Sequence, residues 1–276
     1  MKAPIPPLNC LCEGRYLKSL YHYSEPPPRE IKFALNENSK YSRDLLKCSL
    51  CNHYISIHDM QLSSMYSENY VSSNYKDLEG IQNTFQKIIN LPEDKSDNSP
   101  RVSYVSSFAK TFFNNNLSNR KVLDIGSGLC VFLYKMKELG WDCVALDPDQ
   151  RSTEHAKINV GVEAICGDFM KLELMDKYDL ITLNKVLEHV ENPVEMLQKT
   201  KLTLKKDGLI YIEVPDGEIA ETEGKNREEF TIDHPHNFSI ASTALLVERA
   251  GLKVLKIERL QEPSTKFTIR VFIKKK

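Results

Sequence analysis

Two carboxylates and two glycines stand at the ends of apolar segments in the middle of the chain. The residues from Lys121 to Gly128 read Lys-Val-Leu-Asp-Ile-Gly-Ser-Gly, so a short apolar strand passes through Asp124 into a Gly-x-Gly turn. Glycines at the carboxyl end of a parallel strand let the backbone approach a ligand closely. About twenty residues later a second apolar segment ends in Asp147, the spacing at which an α/β unit places an acid against ribose hydroxyls. The pattern predicts a nucleoside-cofactor site.

The charge of Asp124 helps to decide which cofactor this turn accepts. A nicotinamide-dinucleotide fingerprint needs a third glycine where this chain has Val131, and an acid beside the turn repels a pyrophosphate. S-adenosylmethionine has a sulfonium and an ammonium group and no phosphate, so a nearby carboxylate favours it over NAD. The sequence therefore predicts an S-adenosylmethionine site.

These motifs resemble those of the class I S-adenosylmethionine-dependent methyltransferases. The resemblance rests on Asp124-Ile-Gly-Ser-Gly128, on Asp147 and on Gly167-Asp168, and it covers the chain from about residue 121 to the end. The family often has a third glycine where this chain has Cys130. The resemblance implies an α/β, Rossmann-like sheet of seven strands, mostly parallel, that closes with an antiparallel hairpin.

The resemblance also implies which residues hold each part of the cofactor. Gly126 and Gly128 would line the methionine portion, and Asp147 would bind both ribose hydroxyls. Asp168 would accept a hydrogen bond from the adenine amino group. Asn184 would lie beside the methionine end and the methyl group that is transferred.

The hydrophobic pattern independently indicates an α/β core preceded by two smaller parts. We predict a cysteine-rich lobe over residues 1–70, a helical connector over 71–119 and a methyltransferase domain over 120–276. From residue 121 onward strand and helix patterns alternate, which is typical of a parallel sheet covered on both faces. The predicted strands are 121–126, 142–147, 162–166, 178–183 and 208–214, the helices 129–140, 151–159 and 193–205, and the closing hairpin 252–257 with 267–273.

Four of the seven cysteines fall before residue 52, in two close pairs. Cys10-Leu-Cys12 and Cys48-Ser-Leu-Cys51 have the form of two knuckles that supply thiolates to one tetrahedral zinc, with His53 or His22 as possible substitutes. The alternative is a set of cysteines in a small core. In a reducing compartment a metal is favoured over disulfides. The other three cysteines lie in apolar patterns and are predicted to be buried thiols: Cys130, Cys143 and Cys166.

The order of these parts is similar to that of a particular methyltransferase subgroup. Cysteine knuckles, the segment Met65-Tyr-Ser-Glu-Asn-Tyr70 and a methyltransferase core follow one another here, as they do in the sugar C-methyltransferases. That resemblance implies a structural zinc in the first lobe and an acceptor such as a nucleotide-linked deoxysugar.

Methyl transfer is an in-line displacement that often needs a base to take a proton from the acceptor. Two segments that follow predicted strands offer such groups: Glu188-His189 and the pair His234 and His236. Histidine titrates near neutral pH, so either member of that pair, or His189, suits the role. We favour His236 because it is closer to the start of the next predicted helix. The alternative is that these side chains anchor loops or cap helices. The polar segment 216–231 is either a substrate lid or a disordered surface loop.

Composition adds limits on partners and location. The chain has 37 Lys and Arg against 38 Asp and Glu, a net charge of -1, which gives no reason to expect a nucleic-acid partner. No apolar segment approaches the roughly eighteen residues of a membrane span, and the N-terminal residues lack the apolar run of a signal peptide. We therefore expect a soluble, cytoplasmic protein with no membrane partner.

Three functions are compatible with these features. The first is a methyltransferase that acts on carbon or oxygen of a small molecule, a nucleotide-linked or surface-polysaccharide sugar. The second is a methyltransferase on a quinone, a lipid or a protein. The third is a non-catalytic module that holds the cofactor while its zinc lobe contacts a protein partner.

Overall fold

A computed structural model of the chain describes residues 16–30, 40–60 and 78–276. The strands in these ranges are β1 (Leu17–Tyr23), β2 (Arg43–Cys48), β3 (Tyr54–His58), β4 (Lys121–Ile125), β5 (Asp142–Asp147), β6 (Glu163–Cys166), β7 (Tyr178–Asn184), β8 (Leu204–Pro215), β9 (His236–Asn237), β10 (Leu252–Gln261) and β11 (Phe267–Lys275). The α-helices are α1 (Leu78–Ile89), α2 (Asn98–Phe112), α3 (Val131–Glu138), α4 (Gln150–His155), α5 (Pro193–Thr203), α6 (Gly217–Glu223) and α7 (Ile240–Arg249). Among them we find no helix that combines the length and apolar character needed to cross a membrane.

Seven strands form the large sheet, in the order β6-β5-β4-β7-β8-β11-β10. The first five pair in parallel. Strand β11 pairs antiparallel to both β8 and β10. This is the predicted Rossmann-like arrangement, and the strand boundaries agree with the sequence pattern to within a few residues. The parallel order brings the carboxyl ends of β4, β5, β6 and β7 to one edge of the sheet.

Both faces of the sheet are covered by helices. On one face α1, α2 and α3 contribute Phe85, Val105 and Leu133 to a continuous apolar cluster. On the other face α5 and α7 contribute Leu197 and Leu246 to a second cluster. A strand covered on both sides is apolar along its whole length, which is why the sequence pattern predicted the central strands.

Two of the three cysteines predicted as core thiols are buried, and the third is not. Cys130 and Cys143 lie in the cluster beneath the first helical layer. Cys166 is exposed, so that prediction was wrong. It is the last residue of β6, which forms the edge of the sheet, and the end of an edge strand has no second layer to cover it.

The described part of the N-terminal segment forms an antiparallel sheet in the order β1-β2-β3-β9. Its fourth strand comes from the C-terminal half of the chain, because Tyr54 pairs with Asn237 and Ile55 with His236. The small sheet is therefore completed by a segment that also belongs to the large domain. This pairing fixes the position of the N-terminal sheet beside the carboxyl edge of the large one.

The segment 216–231 packs against this small sheet. It contains α6 and a 3-10 turn over Glu228–Phe230, so it is not the disordered surface loop considered as an alternative. The ring of Phe230 lies in an apolar cluster with Tyr23 and Tyr54. The buried guanidinium of Arg43 donates to the Phe230 backbone oxygen at 2.7 Å and lies 3.3 Å from the carboxylate of Glu30.

Candidate active site

The loop after β4 has the backbone conformation that a tight turn requires. Gly126 has φ +71° and donates its N–H to the Leu146 oxygen at 2.8 Å. A Cβ at Gly126 would lie 2.7 Å from a methyl carbon of Val186. Gly128 has φ +49°, and a Cβ built on it meets no atom of the described residues within 4 Å. Packing against Val186 therefore favours glycine at the first position, and the second glycine borders open space.

Cys130 stands where related enzymes often have a third glycine. It adopts φ +59° and ψ 21°, in the left-handed region that glycine usually occupies. Its N–H donates to the Ser127 oxygen at 2.8 Å. The departure from the family pattern therefore leaves the turn intact, at the cost of placing a residue with a Cβ in a less favourable conformation.

The carboxylate of Asp147 connects the end of β5 to the glycine turn. One of its oxygens accepts the N–H of Gly128 at 2.8 Å, and the other accepts the N–H of Asp149 at 2.9 Å. Burial raises the pKa of Asp147, and these two backbone donors act against that rise. The side chain is thus fixed at the carboxyl edge of the sheet, where the predicted contact with ribose hydroxyls requires it.

Asp124 lies beneath the same turn and is almost completely buried, at 2% exposure. One of its oxygens accepts from the Thr182 hydroxyl at 2.6 Å and from the Asn184 amide at 2.9 Å. Burial raises its pKa to about 7, although both hydrogen bonds favour the ionised form. The other amide atom of Asn184, its Oδ1, is buried and has no hydrogen-bond partner among the described residues. This oxygen is suited to accept from a cofactor ammonium group.

Asp168 follows β6 at the same edge of the sheet and is exposed. Its carboxylate accepts the N–H of Met170 at 2.9 Å and lies 3.3 Å from the Lys171 ammonium. It therefore closes a turn in this structure. Its carboxylate is accessible in this position, and its contact with the adenine amino group stays a prediction.

A second set of chemical groups lies beyond the end of β7, in the 3-10 turn Leu187–His189. Glu188 is 1% exposed, and its Oε2 atom has no hydrogen-bond partner within the described ranges. Burial raises the pKa of this carboxyl group. Next to it, His189 Nδ1 donates to the backbone oxygen of Asp233 at 2.8 Å.

His234 comes from the loop before α7 and lies against His189. The two ring centroids are 4.7 Å apart with an angle of 71° between the planes. His234 Nδ1 donates to the Glu229 backbone oxygen at 2.8 Å. The structure therefore brings together three of the four predicted catalytic residues, from two segments separated by 45 positions.

A family model described as a methyltransferase domain matches residues 99–257, which is more than half of the chain. The matched region includes the glycine turn, the acids Asp124 and Asp147, and the histidine cluster formed by His189 and His234. The chain belongs to the class I S-adenosylmethionine-dependent methyltransferases.

Curated relatives of this methyltransferase align with only part of its length. One is a ubiquinone biosynthesis O-methyltransferase from Glaesserella parasuis serovar 5 (strain SH0165), 34% identical over 123 residues. That alignment covers 41% of this chain and 50% of the relative. The chain spans about half the length of these curated relatives it matches.

Solved methyltransferase structures share the fold at low sequence identity. The magnesium protoporphyrin IX methyltransferase from Synechocystis PCC 6803, solved with bound SAH, is 12% identical with a TM-score of 0.54, covering 76% of this chain and all of that one. A plantazolicin methyltransferase in complex with a pentazolic desmethyl analogue and SAH is 17% identical with a TM-score of 0.56, covering 75% and 95%. At these identities the likeness establishes the fold alone.

His236, which we favoured as the base, lies apart from the histidine cluster of this methyltransferase. It is completely buried in β9, and its Nε2 donates to the Glu191 backbone oxygen at 3.2 Å. Its Nδ1 accepts from His53 Nε2 at 3.1 Å. Burial lowers the pKa of His236 to about 4. This geometry connects the small sheet to the core and favours His189 or His234 for contact with an acceptor.

Two backbone donors close the loop that contains the second cysteine pair. The N–H of Leu50 donates to Cys48 Sγ at 3.4 Å, and the N–H of Asn52 donates to the Cys48 oxygen at 2.9 Å. Burial raises the pKa of the Cys51 thiol to about 11, so its thiolate needs a nearby cation. Cys10 and Cys12 lie outside the described residues.

Two residues that the sequence reasoning did not single out complete these sites. Thr182 binds Asp124, and Asp233 lies with one carboxylate oxygen 3.6 Å from His189 Nδ1 and 3.8 Å from His234 Nε2. A signal existed for Thr182, since it is a polar residue two positions before Asn184 in an otherwise apolar strand and so shares its face. Asp233 directly precedes His234 in the sequence, but no spacing rule connects it to His189.

Proposed function

We propose that the chain transfers the methyl group of S-adenosylmethionine to a small-molecule acceptor. The observation that supports this most strongly is the cradle formed by Asp124, the glycine turn and Asp147 at one edge of the sheet. Its buried acids suit a cationic cofactor without phosphate, and the space beside Gly128 is open. When bound, this cofactor supplies an electrophilic methyl group on a positively charged sulfur.

We assign a separate role in cofactor binding or proton transfer to each of the described site residues. Asp147 holds the ribose, and Asn184 Oδ1 together with Asp124 attracts the ammonium group of the methionine portion. His189 or His234 removes the proton of the acceptor, because a neutral imidazole is a suitable base near neutral pH. Glu188 stabilises the imidazolium that results, as a carboxylate does beside a catalytic histidine.

The acceptor class rests on two different supports. The relatives named as ubiquinone biosynthesis O-methyltransferases favour transfer to oxygen and a quinone-type acceptor. The cysteine pairs and the tyrosine-rich segment instead favour a nucleotide-linked sugar, through their resemblance to the sugar C-methyltransferases. We take the quinone type as the first acceptor to assay and the sugar as the second, because the alignment with the quinone-pathway relatives includes more of the chain than those N-terminal motifs do.

We also propose that the N-terminal sheet belongs to a lobe stabilised by zinc. Cys48 and Cys51 would supply two thiolates, and the pair Cys10 and Cys12 the other two. Native mass spectrometry of the full chain tests this. The double variant C48S/C51S is expected to carry one zinc fewer than the wild type. Equal zinc content in both proteins would exclude this site.

A cofactor titration tests the proposed methyl transfer. Asp147→Asn should weaken S-adenosylmethionine binding about 10- to 100-fold, since hydrogen bonds to a charged group contribute about 1.5–3 kcal/mol each. Asp142→Asn is the matched control, because Asp142 is an exposed acid at the opposite end of the same strand. Isothermal titration calorimetry measures both. Product formation is then followed by mass spectrometry with each acceptor class. Tight cofactor binding without turnover on any acceptor would favour the non-catalytic module.

A further inference from the structure

We propose that Glu188, His189 and His234 form a binding site for a divalent first-row transition-metal ion, of which Zn²⁺ is the best match. One carboxylate oxygen of Glu188 and one ring nitrogen of each histidine all lie within 4.8 Å of one another. Two histidines and one glutamate are a ligand set that zinc uses in catalytic sites, where further positions stay open to water or substrate. This site is separate from the cysteine pair of the N-terminal sheet.

The hydrogen bonds of the two histidines orient them as metal ligands. Each Nδ1 lies 2.8 Å from a backbone carbonyl oxygen, that of Asp233 for His189 and that of Glu229 for His234. A carbonyl oxygen only accepts, so both Nδ1 atoms carry a proton, and in the neutral ring Nε2 has the lone pair that a metal ion binds. Metal-binding histidines almost always have this second hydrogen bond, which fixes the ring orientation and the tautomer.

The charges around Glu188, His189 and His234 also favour the binding of a cation. Glu188 is buried, its Oε2 atom has no hydrogen-bond partner, and it forms no ion pair among the residues the structure describes. Asp233 is buried as well, and within the same ranges the only ion-pair contacts of its carboxylate are to His189 and His234. Buried carboxylates are stable when they are paired or coordinate a metal. Two buried acids beside two histidines therefore form a site that a cation would complete.

The lysine closest along the chain does not fill this role. The Lys185 ammonium donates to the Thr268 hydroxyl and lies 3.7 Å from the carboxylate of Glu262. It is therefore directed toward β11, although its positive charge still opposes the burial-driven rise in the pKa of Glu188. The acidic side of the cluster remains available to a metal ion.

The position of the site connects it to the reaction. Glu188 and His189 follow Asn184 within a few residues, just beyond the end of β7, and Asn184 is the residue to which we assign the ammonium group of the methionine portion. A metal ion there would have open positions for an oxygen atom of the acceptor, which it would orient and make more acidic. With both ring nitrogens bound to the metal, this activation would replace proton removal by a free histidine. This role rests on the proposed methyl transfer, whereas the metal site itself is tested without it.

Cobalt(II) is the probe that tests the site directly. The full chain is freed of metal with a chelator and titrated with Co²⁺ while its absorption spectrum is recorded. A site of nitrogen and oxygen ligands gives d–d bands alone, whereas a thiolate site adds a near-ultraviolet charge-transfer band. We expect one Co²⁺ of the first kind, and we expect it to persist in the variant C48S/C51S.

Three variants assign the ligands. Glu188→Gln and His234→Gln should each weaken this Co²⁺ binding at least tenfold. Glu191→Gln should leave it within twofold of wild type, since Glu191 is an exposed acid three residues away. Circular dichroism confirms that each variant is folded. If His234→Gln fails to fold, the comparison of wild type with Glu188→Gln still tests the metal site. Glutamine has the size of glutamate, so that variant should keep the packing.

Two results would overturn the proposal. One is a wild-type protein that binds cobalt only with the thiolate band, or not at all. The other is a Glu188→Gln variant that binds cobalt as the wild type does. Either result leaves the cofactor titration with Asp147→Asn as a separate measurement, so the failure of the metal site and the failure of methyl transfer can be told apart.

Discussion

Replacing Asp124 by asparagine should stabilise the protein and weaken its hold on the cofactor. Asp124 is nearly inaccessible to water, and burial raises its pKa to about 7 despite hydrogen bonds from Thr182 and Asn184. Asparagine has the same shape, and its carbonyl oxygen accepts the same two hydrogen bonds. The substitution therefore removes a buried charge with little change in packing.

The size of the stability effect follows from the shift in pKa. The pKa rises from 3.8 in the unfolded chain to about 7 in the fold, and at about 1.36 kcal/mol per unit the ionised form costs at most about 4 kcal/mol. The folded pKa is the higher one, so the contribution of the Asp124 carboxyl group to stability is fully present below pH 3.8, where the group is protonated. That contribution is lost as the pH rises through 7, because the buried group then ionises. Asp124→Asn should therefore raise the free energy of unfolding by about 2–4 kcal/mol at pH 8 and change it little near pH 4.

Cofactor binding should respond in the opposite direction. A cationic ligand binds the ionised form of Asp124, so wild-type affinity for S-adenosylmethionine should fall about tenfold between pH 8 and pH 6, as expected for one group with a pKa near 7. Asp124→Asn should bind more weakly at pH 8 and show less of this dependence. The amino group of S-adenosylmethionine itself titrates near pH 8. The pH dependence of affinity measured with Asp124→Asn therefore gives the contribution of the ligand, with which the wild-type dependence is compared.

Urea unfolding and isothermal titration calorimetry at pH 6, 7 and 8 measure both effects. The control is Asp142→Asn, an exposed acid on the neighbouring strand, which should change neither quantity. The reasoning is refuted if Asp124→Asn is less stable than wild type at pH 8, or if the two proteins show the same dependence of affinity on pH.

Three further predictions concern the turn, the small sheet and its connection to the core. Gly126→Ala places a Cβ 2.7 Å from a methyl carbon of Val186 in a left-handed backbone, so we expect a loss of about 1–3 kcal/mol in urea unfolding; an unchanged midpoint would show that the loop adjusts freely. Arg43→Met leaves the buried Glu30 carboxylate without its guanidinium, which should cost about 3–5 kcal/mol by the same assay, and a loss below about 1 kcal/mol, the scale of an exposed pair, would contradict the burial argument. Burial lowers the pKa of His236 from 6.5 to about 4, so its contribution to stability is present above pH 6.5 and is lost as the pH falls toward 4. His236→Gln should reduce the stability difference between pH 7 and pH 4 by about 3 kcal/mol, and parallel pH profiles for wild type and variant would refute this.

The sequence by itself determined the large sheet and the cofactor cradle. Residues 121–128 carry strand, acid and glycines in one continuous stretch, and Asp147 ends the next strand. These features are local, because a strand buried on both faces must be apolar along its length and a tight turn must contain glycine. Adjacent parallel strands then bring their carboxyl ends together without further information.

The arrangement of the histidines was decided by tertiary structure. His234 follows a turn and His236 begins β9, with a bend at Pro235 between them, so the alternation of a strand does not relate their side chains, and nothing in the local sequence says which of the two meets the site. Pairing of β9 with β3 directs His236 into the interior against His53. The same pairing leaves His234 against His189, 45 residues earlier in the chain. Contacts between segments so far apart depend on how whole elements pack, which is why the metal site became visible only in the folded chain.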